Sequence, residues 1–158
     1  MSLHSRLPSL LALAVLLLSA CGPTVVYEEE VTFEEGHWSY ADSVVFSYAI
    51  EDTSLAYDLS LSLKHKDTYA TQNLYARFVT HYPNGTLQSE VVNLTFADRF
   101  GRWLGDCAGA DCALSIPIQE GARYPEPGVY GLTLHQYGRK DTLQGIQGFA
   151  LEVAHGRD

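Results

Sequence analysis

Three cysteines are the residues best equipped for chemistry in this chain, and their neighbours separate them into two kinds. Cys107 and Cys112 stand five apart in DCAGADC. In an exported chain that spacing points to a disulfide, a local staple worth roughly 2 kcal/mol by chain entropy. A metal site would need more ligands; Asp106 and Asp111 are the neighbours on offer, and the spacing matches no zinc pattern. The histidines His37, His65, His81, His135 and His155 form no H-x-H or H-E-x-x-H arrangement, so they are expected singly, in solvent. No G-x-S-x-G is present, and a disulfide would leave no thiol for a histidine to activate. Nothing sets two of the nineteen acids opposite one another. The expectation is a chain without catalysis, metal or cofactor.

Cys21 belongs to a different chemistry. Arg6 gives a weakly positive start, Leu10 to Leu18 is almost wholly apolar, and Leu18-Ser19-Ala20-Cys21 follows. The run is too short for an ordinary transmembrane helix and reads as an export signal. Its end fits the bacterial lipobox, in which cleavage leaves Cys21 as a lipidated N-terminus carrying acyl chains such as palmitate. An ordinary secretory peptide with an incidental cysteine is the alternative. Each buried methylene contributes ~0.8 kcal/mol, so several acyl chains would hold the protein on a membrane.

Removing twenty residues from 158 leaves 138, the size of one domain. Without Arg6, nine basic residues face nineteen acidic ones, a formal charge of −10. That excess disfavours nucleic acid and anionic headgroups as ligands of the protein surface. Cys21 to Glu35 holds Glu28, Glu29, Glu30, Glu34 and Glu35. It is a repulsive spacer, a strip for a basic partner, or a solvated leader pairing at a sheet edge through Val31 and Phe33.

Leu55, Tyr57, Leu59, Leu61 and Leu63 alternate with Ala56, Asp58, Ser60, Ser62 and Lys64, the period of a half-buried strand. Leu74, Ala76 and Phe78 continue the apolar pattern beyond His65 to Gln72, which predicts two neighbouring antiparallel strands. Val44 to Ile50, Thr86 to Phe96, Val129 to Tyr137 and Ile146 to Val153 read as further strands. Pro83-Asn84-Gly85 and Pro125-Glu126-Pro127-Gly128 are turn signals between them. Ala113 to Gln119 is short and holds Pro117, suiting an edge or a bulge. Ala97 to Asp111 is glycine-rich and irregular. About eight short strands without a helix predict an all-β fold, a β-sandwich of two antiparallel sheets. The expected division is a signal peptide at 1–20, a lipid anchor and acidic tether at 21–36, and the sandwich at 37–158.

Aromatic residues offer a second kind of site. Tyr69, Tyr75, Tyr82, Trp103 and Tyr137 could line a sugar-binding face, although tyrosine is also a common core residue whose hydroxyl reaches the rim. Gly101 and Gly105 bracket Trp103 and would let a tight loop fold the indole onto the end of the sandwich. Asn73 could bond backbone at the start of a strand.

Four segments, in order behind the lipobox, carry a family resemblance. They are Tyr69-Ala70-Thr71-Gln72-Asn73-Leu74-Tyr75, then Leu94 to Gly105 (LTFADRFGRWLG), then Gly128-Val129-Tyr130 running to Gln136, and Leu143-Gln144-Gly145-Ile146. Together they resemble the gliding-motility lipoprotein GldH family of the Bacteroidetes. The Cys107 to Cys112 loop is not associated with that pattern. The resemblance implies a non-enzymatic lipoprotein of the gliding machinery, linked to type IX secretion and working through protein partners. Tyr69, Asn73, Tyr75, Gly101, Trp103 and Gly105 are then the candidate partner-binding residues. A lipid-anchored glycan-binding module is the alternative. The acids begin some way behind the cysteine, which suggests an outer-membrane protein facing the periplasm.

Overall fold

The computed structural model describes residues 22–156. The expected signal peptide and the lipidation residue Cys21 lie outside the described residues. Eleven strands follow: β1 Val25–Thr32, β2 His37–Ser39, β3 Val44–Ile50, β4 Tyr57–Lys66, β5 Asn73–His81, β6 Leu87–Thr95, β7 Asp106–Ala108, β8 Asp111–Ala122, β9 Gly128–Gln136, β10 Thr142–Gln144 and β11 Ile146–His155. Three of them (β2, β7 and β10) are three residues long; the other eight, together with β7, build the two layers. One layer is a five-stranded sheet in the order β1-β11-β4-β8-β7, the other a four-stranded sheet in the order β3-β9-β5-β6. Every pairing is antiparallel, and β2 with β10 forms a small separate ribbon. The chain is the β-sandwich its alternation predicts.

β4 shows why the layers stick. Tyr57, Leu59, Leu61 and Leu63 are buried, while Asp58, Ser60, Ser62 and Lys64 point the other way. They meet Phe46, Phe78, Tyr130 and Leu134 of the opposite layer in a single apolar cluster. Each such side chain contributes about 1.5–3 kcal/mol on leaving water.

Two expectations need correction. β4 and β5 are not neighbours in one sheet: residues 67–72 carry the chain across the core from one layer to the other. Both strands need an apolar partner face, and alternation alone cannot say whether that face lies beside a strand or across from it. β8 runs for twelve residues rather than seven, with the expected irregularity at Pro117, where the register to Leu59 and Ser60 slips. The stretch read as a tether contributes β1, which pairs with β11 from Val25 to Thr32. Of the three readings of that leader, edge pairing is the geometry seen. Phe33 then packs on Trp38 and Phe149. The apolar positions Tyr27, Val31 and Phe33 outweigh the charge, because the glutamates of an edge strand can stay in water.

The sandwich therefore has two distinct ends. β1 enters at the end holding residues 51–56, the 82–86 turn and residues 122–128. Residues 67–72, 96–105 and 137–145 close the opposite end.

Candidate functional site

At that far end the loops enclose an open groove of about 960 Å³. Each wall has a traceable cause. Gln136, buried at the end of β9, donates to the Lys140 carbonyl at 2.9 Å and accepts from the Gly138 N–H at 3.1 Å. One side chain thus shapes residues 137–141, and the Tyr40 hydroxyl donates to the Gly138 carbonyl from the turn after β2. Tyr137 is tied to β5 through its N–H and the Tyr75 carbonyl, 2.9 Å apart. The Arg77 guanidinium lies 4.8 Å from the centre of the Tyr137 ring. Leu143 of β10 and Val91 of β6 complete the apolar lining.

The far wall belongs to Tyr69, whose ring packs on Phe96 at 5.3 Å. Burial raises the Tyr69 phenol above its ordinary value, so it stays protonated and available as a donor. Phe96 in turn stacks on Trp103 at 5.9 Å, and Trp103 lies 4.5 Å from His65. The indole is seated by its loop. Asp98 accepts the N–H groups of Phe100 and Arg102 at 2.8 and 3.0 Å and pairs with the Arg102 guanidinium at 2.8 Å. Those bonds, led by the Arg102 N–H, hold the Asp98 carboxyl below its usual range. Gly101 turns the loop at φ +80°, and Gly105 lies so close to Ala113 that a Cβ would stand 2.0 Å from its carbonyl oxygen.

The expected site residues divide accordingly. Tyr69, Asn73 and Tyr75 line the groove, with Tyr137. Gly101, Trp103 and Gly105 build the loop behind its wall and do not line it. Asn73 does not bond backbone through its side chain: the amide donates to Asn93 Oδ1 at 2.6 Å across to β6. The five-aromatic sugar face does not form as one surface. Tyr82 sits at the opposite end, 5.7 Å from Tyr130 in a cluster with Tyr48 and Tyr124, while Tyr69, Tyr75 and Tyr137 share the groove. Nothing local in the sequence distinguishes Tyr40, Arg77, Gln136 and Leu143 as site residues, because only the closing of residues 137–145 over β5 brings them together. The segments running to Gln136 and from Leu143 were the one available signal.

Cys107 and Cys112 are disulfide-bonded across the β7–β8 hairpin, directly paired in register. Asp111 is engaged by Lys66 and Gln147, and no cluster of three metal-ligating side chains exists among the described residues. His65 departs from the solvated reading. It is fully buried against Phe96 and Trp103, its Nδ1 2.9 Å from the Lys66 carbonyl and its Nε2 without a partner. No carboxylate, histidine or cysteine lines the groove, whose chemistry is ring stacking, phenol hydrogen bonding and the cations Arg139 and Lys140 on its rim.

Comparison with known proteins agrees with the segment pattern. The chain is 27% identical over 135 residues to "Gliding motility lipoprotein GldH homolog" of Christiangramia forsetii, spanning 84% of this chain and 82% of that one. Among solved structures, the enzymatically active domain of tailspike protein 4 from bacteriophage CBA120 matches at 12% identity and a TM-score of 0.24. That match covers 85% of this chain and 18% of the other, and a score so low carries no argument. Residues 25–153 match the GldH lipoprotein family, and the chain belongs to it.

Proposed function

We propose that this gliding-motility lipoprotein works without catalysis, by holding a protein partner of the gliding and type IX secretion machinery in the groove. The observation that carries the reading is the groove's position. It is open and apolar, and it faces away from the end where β1 enters. Three residues, Gly22 to Thr24, separate β1 from Cys21. With Cys21 lipidated, the groove would stand at the pole remote from the membrane, about 26 Å of β1 away. An outer-membrane location with the domain in the periplasm suits a partner that is part of the envelope machinery.

A glycan would need hydroxyl-directed carboxylates or amides around its stacked rings. The groove supplies no carboxylate, and of its two amides, Asn73 and Gln144, the first is already bonded to Asn93, which favours a protein. The test is colony spreading of strains carrying Tyr75→Glu or Tyr137→Glu, with protein level followed by immunoblot. Both side chains are exposed, so the variants should accumulate normally. Loss of spreading at wild-type abundance is the expected result. Normal spreading of the double variant would refute the reading.

A further inference from the structure

The sandwich has four open edges, and three of them are blunted. β1 carries Glu28, Glu29 and Glu30 and a register shift near Val25. β8, covered by β7 only from Asp111 to Ala113, carries Pro117 and a slip in register. β3 has its Ser47 N–H taken by the Tyr27 hydroxyl at 3.2 Å. β6 has no slip in register, no proline and no side chain on its outward N–H groups, and one glutamate where β1 has three. It pairs with β5 in unbroken register over nine residues, contains no proline or basic residue, and has Glu90 as its single charge. A long, regular edge of this kind is a template for another strand.

The phase of its hydrogen bonds can be read from both ends. The Tyr82 N–H donates to the Thr86 carbonyl at 2.9 Å, and the Phe96 N–H donates to the Gln72 carbonyl at 3.0 Å. Antiparallel alternation between these points turns the N–H and C=O of Leu87, Ser89, Val91, Asn93 and Thr95 away from β5. Their side chains also lie on the outer face of the four-stranded sheet.

That face is unlike its counterpart. Val45, Tyr75, Leu87, Val91, Val129 and Tyr137 are exposed on it, and among the described residues it bears no carboxylate. Its one permanent charge is Arg77, and Arg139 and Lys140 stand beside it on the groove rim, with Asp141 next in the chain. The outer face of the five-stranded sheet instead carries Glu28, Glu30, Asp58, Glu152, Lys64 and Lys66. In a chain of net charge −9, so selective an exclusion of acids leaves a surface complementary to an acidic partner.

We propose that the partner binds as an added antiparallel strand along Leu87–Thr95, with its N-terminal carboxylates directed at Arg77, Arg139 and Lys140. This rests on the groove reading above and names how the partner is held. Antiparallel addition places the partner's N-terminus at the Thr95 end, beside the groove, which Val91 joins to the edge. A second copy of the chain is disfavoured as the occupant. Antiparallel β6–β6 pairing turns one copy end for end, so the two β1 entries point to opposite poles. Three linking residues reach only about 10 Å, too little to return both Cys21 anchors to one leaflet past a strand of about 26 Å.

The test uses the purified full-length protein and a fluorescein-labelled peptide, Asp-Asp followed by alternating Val and Thr, read by anisotropy. Saturable binding is expected, at least about tenfold weaker when Lys-Lys replaces Asp-Asp, with the gap narrowing as salt is added. Methylating the peptide nitrogens that face β6 should abolish binding without changing a side chain. Ser89→Pro removes an N–H that β5 does not use and should weaken binding by about tenfold or more at an unchanged melting temperature. Equal binding to Ser89→Pro or by the methylated peptide, or no saturable binding by any peptide, would overturn the proposal. So would a dimer in sedimentation that Ser89→Pro abolishes. The two readings separate in cells: spreading lost with Tyr75→Glu but kept with Ser89→Pro sinks strand addition and leaves the groove standing. Spreading kept by both variants sinks both.

Discussion

Gly105→Ala isolates the steric demand behind the Trp103 loop. A Cβ at position 105 would lie 2.0 Å from the Ala113 carbonyl oxygen, 2.7 Å from its carbon and 2.9 Å from Leu114 Cα. Comfortable C···O approach begins at about 3.3 Å, so β8 must retreat by more than about 1 Å. It cannot do so freely, because Ala113 and Leu114 are already registered to Lys64 and Leu63 of β4. The cost belongs at the upper end of overpacking, about 3 kcal/mol. For a domain of this size that is a fall in melting temperature of about 10 °C. Gly101→Ala is the control. Its φ of +80° penalises alanine, yet the nearest atom is the flexible Gln72 Nε2 at 3.8 Å. That costs about 1 kcal/mol, or about 3 °C. Thermal unfolding followed by near-ultraviolet circular dichroism compares the pair. If Gly101→Ala proved the more destabilising, or Gly105→Ala melted within about 2 °C of wild type, close approach would not be what holds the loop.

Three further outcomes follow from the same geometry. Reducing the Cys107–Cys112 disulfide should lower the melting temperature by at most about 8 °C, from a ceiling of about 2 kcal/mol, and should leave the sandwich folded; loss of tertiary signal on reduction alone would contradict a merely local staple. Because the folded Asp98 carboxyl titrates below its ordinary value, its contribution is complete above the usual carboxylate range and lost as pH falls through the lowered one. Acidification should therefore change Trp103 fluorescence before global unfolding, and Asp98→Asn should erase that early step; an identical acid profile in the variant would rule the mechanism out. His65→Leu should cost no more than about 1 kcal/mol in a denaturant melt, since it removes the buried Nε2 that has no partner. A loss of several kcal/mol would mean that the ring is held by more than packing and one backbone contact.

Much of the architecture could be read directly because alternation is a local signal. Tyr57 to Leu63, Val44 to Ile50 and Tyr130 to Leu134 each record a buried and an outer face in their own residue order. Turn chemistry marked the β5–β6 hairpin, where Gly85 takes φ +84°. The glycines around Trp103 announced a tight loop, which Gly101 turns at φ +80°; the close approach of Gly105 to Ala113 came only with the fold. Cys107 and Cys112 announced their own bond, since five residues leave a hairpin little other geometry.

The sequence by itself thus determined most of the longer strands, the disulfide, the tight loop around Trp103 and the family pattern, all properties of residues near one another in the chain. Tertiary structure decided what depends on pairing at a distance. It set β4 and β5 in opposite layers, buried His65 beneath Trp103, and drew the acidic leader into the sheet as β1. It separated Tyr82 from Tyr69, Tyr75 and Tyr137, and closed Tyr40 and Leu143 over them as a groove. Period two states that a side chain faces inward or outward. Which strand stands opposite, and which edge is left bare, is settled only when all the apolar faces compete for one core.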